Sequence, residues 1–374
     1  MSATGGSTAD ASTTRRARVW ASIPAWFALL AVALVLLVTD VVVVPTILRE
    51  ETRDWHAYEQ AAERLDSGKP LYVWELADES QEYYLYPPPT AAVWSLGLNE
   101  QSLIVLKLIA LLGVGALAAF AGARTPIAVV GGGLALVGLA LLSPPVIHDL
   151  VLANVMVFYL GAVALSIARP GWLGAVPLGV LCAIALKPTI GPYLLWLFLR
   201  RRGDFAKTFF AGVVTTLLFA VVLGPGRYVE YVQALPRMLT LAMPFTGNVG
   251  LVTISREVAL VGVFLAYAGT LVAARWLSPA TSLAVALAAT LLAQPTIGFN
   301  YLGMLIPALV AIWTVDRRVA LAGAVVVPLV AIGSAIGAAL LVASLAIVAD
   351  WVARRAASAV HRPERPPEVA PATR

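Results

Sequence analysis

The side chains suited to acid–base and saccharide chemistry are gathered in one segment, residues 49–89. It holds ten acidic residues (Glu50, Glu51, Asp54, Glu59, Glu63, Asp66, Glu75, Asp78, Glu79 and Glu82) against four basic ones, Arg49, Arg53, Arg64 and Lys69. Those ten are close to half of the chain's 21 acids, in a protein only 13% charged. A carboxylate-dependent reaction therefore has its natural place here. Asp54 opens a helical pattern, where a carboxylate accepts backbone N–H bonds and stays ionised. An ionised, positioned carboxylate can take a proton from a hydroxyl; the same residue is equally at home as a plain helix cap. His56 and Tyr58 follow on the same stretch. Further on, Tyr83-Tyr84-Leu85-Tyr86 runs into three prolines. Stacked aromatics beside prolines make a rigid wall for a sugar or a lipid headgroup, although an interfacial aromatic belt is the simpler reading.

The elements that must position these residues follow from the pattern. Trp55, Tyr58, Ala62 and Leu65 fall on one helical face, with Glu59, Glu63 and Asp66 opposite. Gly68 and Pro70 stop that helix, which is expected to lie along a membrane surface. The rest of the chain is strongly apolar: 60% of its 374 residues are hydrophobic. Apolar runs recur from Ile23 to Ala349 and are too long and uniform for barrel strands. The expected fold is therefore all-α, a polytopic transmembrane helical bundle of about 10–12 helices, with the interfacial helix in its first outer loop. Spans are expected near 22–44, 102–121, 126–143, 150–168, 172–186, 189–199, 206–223, 257–274, 279–297, 299–315, 319–334 and 336–353. Residues 1–20 and 354–374 read as disordered cytoplasmic tails around one membrane domain, 21–353, with outer loops at 47–90 and 224–256. With the N-terminus inside, every inner connection carries a basic residue, among them Arg124, Arg169, Arg200-Arg201-Arg202, Arg275 and Arg317-Arg318. That pattern accounts for the net charge of +5 and argues against a nucleic-acid partner. Both termini are then cytoplasmic and the acidic loop is outside.

Other polar residues interrupt the apolar runs. His148-Asp149 stands beside Pro144-Pro145, where it can line a cavity or bind a phosphate, or be structural. Lys107 is expected to snorkel to an interface. Lys187 precedes Pro188 at a helix break, where freed backbone groups need polar partners; a snorkelling lysine is the alternative. Gly131-Gly132-Gly133 suits close helix packing. No phosphate-binding glycine loop is visible, so no nucleotide site is expected. Nothing in the spacing of Asp54, His56 and Asp149 demands a metal, and neither metal nor cofactor is predicted. The single cysteine, Cys182, cannot form a disulfide within the chain.

Four pieces of the outer loop form a recognisable ensemble: Asp54-Trp55-His56-Ala57-Tyr58, Ala61-Ala62-Glu63-Arg64-Leu65, Gly68-Lys69-Pro70-Leu71-Tyr72 and Tyr86-Pro87-Pro88. Together they resemble the first outer loop of glycosyltransferase family 87, integral membrane enzymes of the GT-C class. Asn154 at the head of an apolar helix, Arg169, and Ala185-Leu186-Lys187-Pro188 extend the resemblance over roughly residues 20–315. It implies transfer of a sugar, mannose first, from a polyprenyl phosphate to an envelope glycolipid or glycan outside the membrane, with inversion. It implies Asp54 as the base, and a cation for the leaving phosphate: Lys187, with Arg256 or Arg227 behind it. His56, Tyr58, Tyr86, His148, Asn154 and Asn300 are the expected sugar and acceptor contacts. The chain departs from the family pattern at three places. Leu152-Ala153-Asn154 lacks the usual Gln before the Asn. Gly247-Asn248-Val249-Gly250 replaces Gly-Asn-Gln-Ser, and Asn300 lies in the stretch where relatives often carry a His. An arabinofuranosyl donor, a flippase for lipid-linked saccharides, and a non-catalytic partner subunit are the competing expectations.

Overall fold

A computed structural model describes residues 53–74, 83–152, 154–241, 250–293 and 298–360. The expected first span at 22–44, the N-terminal tail, residues 361–374 and the 242–249 and 294–297 connections lie outside the described residues. Those described form helices and short 3₁₀ turns, without a β-strand.

The chain enters through α1 (Arg53–Asp66) and α2 (Pro88–Ser95). Then come α3 (Glu100–Gly115), α4 (Leu117–Phe120), α5 (Pro126–Leu141), α6 (Pro144–Leu152), α7 (Met156–Ala168) and α8 (Trp172–Ile184). After a 3₁₀ turn at Pro188–Ile190, α9 (Gly191–Arg200) leads to α10 (Arg202–Leu223) and α11 (Pro225–Leu241). The last group is α12 (Arg256–Trp276), α13 (Pro279–Ala289), a 3₁₀ segment at Phe299–Met304, α14 (Leu305–Val315), α15 (Arg317–Gly333) and α16 (Ala335–Val360).

Four of these stretches are long and apolar enough to cross a bilayer: Gln101–Phe120, Arg202–Leu223, Arg256–Trp276 and Ala335–Ser358. A fifth exists if α5 and α6, bent by 69° at Ser143, are one broken span. The chain is thus a helical protein built to sit in a membrane with several crossings. α7, α8, α13 and the Asn300–Val315 stretch are apolar but shorter. A 13-residue helix such as α7 or α8 rises about 20 Å, against a hydrocarbon core of about 30 Å. Irregular backbone at such depth persists only where protein covers it.

Two bundles of helices meet. α3 packs on α5 and α7, α7 on α8, and α8 on α10. In the second bundle α13 is the hub, buried from Thr281 to Ala289 among α12, α14 and α16. α9 bridges the two; its Tyr193 hydroxyl meets Ser166 of α7 at 2.5 Å and its Trp196 Nε1 donates to Ser282 of α13 at 2.9 Å. Helix approach relies on small residues. A Cβ on Gly133 of α5 would stand 2.9 Å from the Gly115 carbonyl oxygen, so the glycine run does serve close packing. Gly161 of α7 faces the Ala110 carbonyl of α3 too closely for any side chain. Gly161→Leu is expected to lower the thermal transition of the purified protein, overpacking costing about 1–3 kcal/mol. An unchanged transition would contradict the packing described.

Several expectations are corrected. The 126–143 span stops at Leu141, and residues 144–152 form a separate, sharply turned helix ahead of α7. Pro144 and Pro145 supply no N–H groups to continue the α5 ladder, and prolines suit a new first turn. Much of the expected 224–256 loop is helix α11. There Tyr231, Ala234 and Met238 turn inward at helical spacing while Val229, Val232 and Leu235 are exposed. α16 continues to Val360, past the expected start of the C-terminal tail at 354.

Candidate functional site

Three helix interruptions converge: Leu152–Met156 between α6 and α7, Ala185–Pro188 after α8, and Gly298–Met304 before α14. Side chains of the flanking helices meet freed backbone groups at the first two breaks, as a dry environment requires. Tyr159 of α7 donates its hydroxyl to the Ala185 carbonyl at 3.0 Å. Asp149 of α6 accepts Met156 N–H at 3.1 Å and the Asn300 side-chain amide at 3.1 Å, both on Oδ2.

Asp149 is not alone. Lys107 of α3 lies 3.0 Å from its Oδ1 and also donates to its backbone carbonyl at 2.6 Å. Both side chains have zero exposure. Lys107 therefore does not snorkel: it neutralises a carboxylate inside the bundle, because Asp149 is within reach and lipid is not an alternative for either charge. Its neighbour His148 points outward and is exposed.

The second break carries another lysine, Lys187. Its ammonium sits 4.4 Å from the Tyr86 ring centroid and 5.7 Å from that of Tyr301, within cation–π range. Tyr86 belongs to a continuous aromatic cluster. Tyr58 of α1 meets Tyr86 edge-on at 5.1 Å and Trp94 of α2 at 4.5 Å; Trp55 lies 6.3 Å from Trp94. Tyr72 stands 5.7 Å from Tyr84 and 5.9 Å from Tyr231 of α11. The predicted apolar face of α1 is observed, with Glu59, Glu63 and Asp66 exposed. Its aromatics and those of the Tyr83–Tyr86 stretch pack on one another, however, and Tyr58, Tyr72, Tyr84 and Tyr86 are buried rather than set out as a surface belt. Tyr84 donates to the Pro87 carbonyl at 2.7 Å and accepts from Ala91 N–H at 2.9 Å, fixing the loop onto α2. Thr90 donates to the Ile184 carbonyl at 2.5 Å, fixing α2 onto the end of α8 just before Lys187. Burial raises the Tyr72 and Tyr84 phenols well above their usual range, so both remain neutral donors. Burial raises Tyr231 too, partly opposed by the Lys187 ammonium.

The remaining expected residues are spread around this centre. Asp54 is the second residue of α1; its side chain lies outside the described residues. His56 is about half exposed and sits 3.8 Å from Glu59. Asn154, half-buried in the first break, accepts Val155 N–H at 2.8 Å. Arg256 is exposed at the start of α12. Arg227 acts as a clamp: it donates to the Lys69 carbonyl at 2.9 Å and to Glu230 at 3.0 Å. Glu230 in turn accepts Leu71 N–H at 2.5 Å and Tyr72 N–H at 3.3 Å. Glu230→Ala should release that segment. Amide exchange at Leu71 and Tyr72 is expected to quicken by the equivalent of about 1–3 kcal/mol, and unchanged protection would refute the clamp.

The structure thus brings Tyr58, Tyr86, Lys187 and Asn300 together, and leaves His56, His148 and Arg256 exposed. Lys107 and Tyr301 were not among the expected site residues, and Asp149 was weighed only together with His148 as a cavity or phosphate residue. The signal for Lys107 and Asp149 was present: two opposite charges in apolar stretches each need a partner. Among the described residues no three His, Cys, Asp or Glu side chains form a metal cage. An apolar groove of about 310 Å³ runs between α3, α7 and α8, from Ile109 and Gly113 to Ile184, three residues short of Lys187. Comparisons with protein-family models, with curated proteins and with solved structures each find no match to this chain.

Proposed function

We propose that the protein is an integral membrane glycosyltransferase of the GT-C type, similar to glycosyltransferase family 87. It moves a sugar, mannose first and arabinofuranose as the alternative, from a polyprenyl phosphate to a glycan or glycolipid. One observation carries the reading: a lysine held at a helix break beside two tyrosine rings, three residues beyond Ile184 in the lining of an apolar groove. An isoprenoid tail suits such a groove, and its phosphate would then meet the Lys187 ammonium. Two aromatic rings displace part of that ammonium's water, so a phosphate oxyanion is worth more to it there than in bulk water.

In the proposed step an acceptor hydroxyl oxygen bonds to the anomeric carbon as the bond from that carbon to the phosphate oxygen breaks. The hydroxyl proton goes to the Asp54 carboxylate, and the departing polyprenyl phosphate keeps the bonding pair, its charge met by Lys187. Displacement from the opposite face inverts the anomeric centre. Tyr86, whose ring faces the Lys187 ammonium, lines the site, and the fully buried Tyr58 packs behind it.

The test is purified protein in proteoliposomes supplied with polyprenyl-phosphate-[¹⁴C]mannose and an envelope glycolipid fraction. Protein-dependent release of polyprenyl phosphate with label in a new product is expected. Donor that crosses the bilayer unconsumed would replace this reading with that of a flippase.

A further inference from the structure

A second cavity, of about 370 Å³, lies between the Gly68–Trp74 segment and α11. Tyr72 and Trp74 wall one side; Arg227, Glu230 and Gln233, three residues apart on one face of α11, wall the other. None of the chemistry proposed above uses it. Its charges cancel, because Arg227 and Glu230 are paired at 3.0 Å, so it offers no net cation to an anionic headgroup. What it does offer is a guanidinium, a carboxylate, an amide and two aromatic side chains, converging in a volume of the usual small-ligand size. Donors and acceptors in alternation, next to aromatic carbon, match a neutral polyol: hydroxyls to the polar wall, C–H faces to the rings.

We infer that this cleft binds the non-reacting saccharide of the acceptor glycan. The inference rests on the transfer reading for its biological role, but the binding is separable from it. Position supports it. The Tyr72 hydroxyl donates to the Tyr86 carbonyl at 2.9 Å, and the Tyr86 ring carries the Lys187 ammonium on its face. The cleft is therefore one tyrosine layer away from the proposed donor phosphate, a spacing that suits a glycan whose terminal sugar reacts while an inner sugar is held. Arg237, stacked 5.3 Å from Trp74, fixes the indole that forms the wall. Binding energy gathered on a remote sugar serves to orient the reacting hydroxyl.

The experiment is saturation-transfer NMR on the full chain in nanodiscs, with α-linked mannobiose and arabinobiose as probes. Wild type should give saturation transfer to at least one of them. Gln233→Trp fills the cleft from an exposed position and should weaken binding at least about tenfold. Gln233→Ala, which removes one amide and adds no bulk, should weaken it by a few-fold and serves where the tryptophan variant loses its thermal transition. No binding of either disaccharide to wild type, or equal binding to the Gln233 variants, would overturn the inference. Cleft binding by a protein that never consumes polyprenyl-phosphate sugar would instead remove the transfer reading and leave the saccharide site standing. Transfer with an acceptor KM unchanged in Gln233→Trp would do the reverse.

Discussion

Lys107→Met is expected to abolish the well-folded protein. It strands the Asp149 carboxylate in a site with zero exposure. Breaking a buried pair by removing one partner costs about 3–5 kcal/mol, a large share of a typical folding free energy of about 5–15 kcal/mol. The damage should spread, since Asp149 also holds Met156 N–H and the Asn300 amide and so joins two of the three helix breaks. Lys107→Met with Asp149→Asn should recover most of the loss, because asparagine keeps a carbonyl oxygen for those donors and brings no charge. Yield of monodisperse protein and its thermal transition in detergent are the measurements. A single variant as stable as wild type would show that the pair is not what joins the breaks. Full recovery in the double variant together with wild-type transfer would confine the pair to architecture.

Lys187→Met carries the second large effect. The fold should survive, since the Lys187 side chain is half-buried at a helix break rather than fully enclosed in the bundle. Transfer should fall by about 10²–10³-fold, the usual loss when one preorganised stabiliser of a developing oxyanion is removed. Lys187→Arg should keep part of the rate: a guanidinium retains the charge and stacks on tyrosine, but its planar fork aims differently at a phosphate oxygen. The loss should appear mainly in kcat, as expected for an interaction that strengthens as charge develops on the leaving group. An unaltered kcat with a weakened KM would make Lys187 a docking residue for ground-state phosphate.

Much of this architecture could be read from residue order. The apolar face of α1, its stop at Gly68 and Pro70, the break at Lys187-Pro188 and the close packing of the glycine run each follow from a local rule, and local rules are what sequence spacing reports. What could not be read was long-range pairing. Lys107 and Asp149 are 42 residues apart, and only the arrangement of α3 against α6 makes them partners. A lysine in an apolar run near a helix end is read as snorkelling when its counter-charge is unseen. The tyrosines show the same limit. Aromatics beside a membrane span suit a surface belt equally well, and their burial against α1, α2 and α11 depends on how those three helices meet. α11 was missed because Pro236 and apolar residues on its exposed side, Val229, Val232 and Leu235, disguised the inward spacing of Tyr231, Ala234 and Met238. The Arg227–Glu230 clamp was legible only as two charges three apart; its partners, Lys69, Leu71 and Tyr72, lie about 160 residues upstream.

The central claim is that this chain transfers a lipid-linked sugar with Asp54 as the base. The most direct measurement compares wild type with Asp54→Asn at equal abundance in membranes, following label from polyprenyl-phosphate-mannose into product. The account predicts labelled product from wild type and none above background from Asp54→Asn, since an amide cannot take the hydroxyl proton. Equal product from both proteins would contradict it by removing Asp54 from the reaction, and product from neither, with mannose and arabinofuranose donors alike, would contradict the assignment of glycosyl transfer.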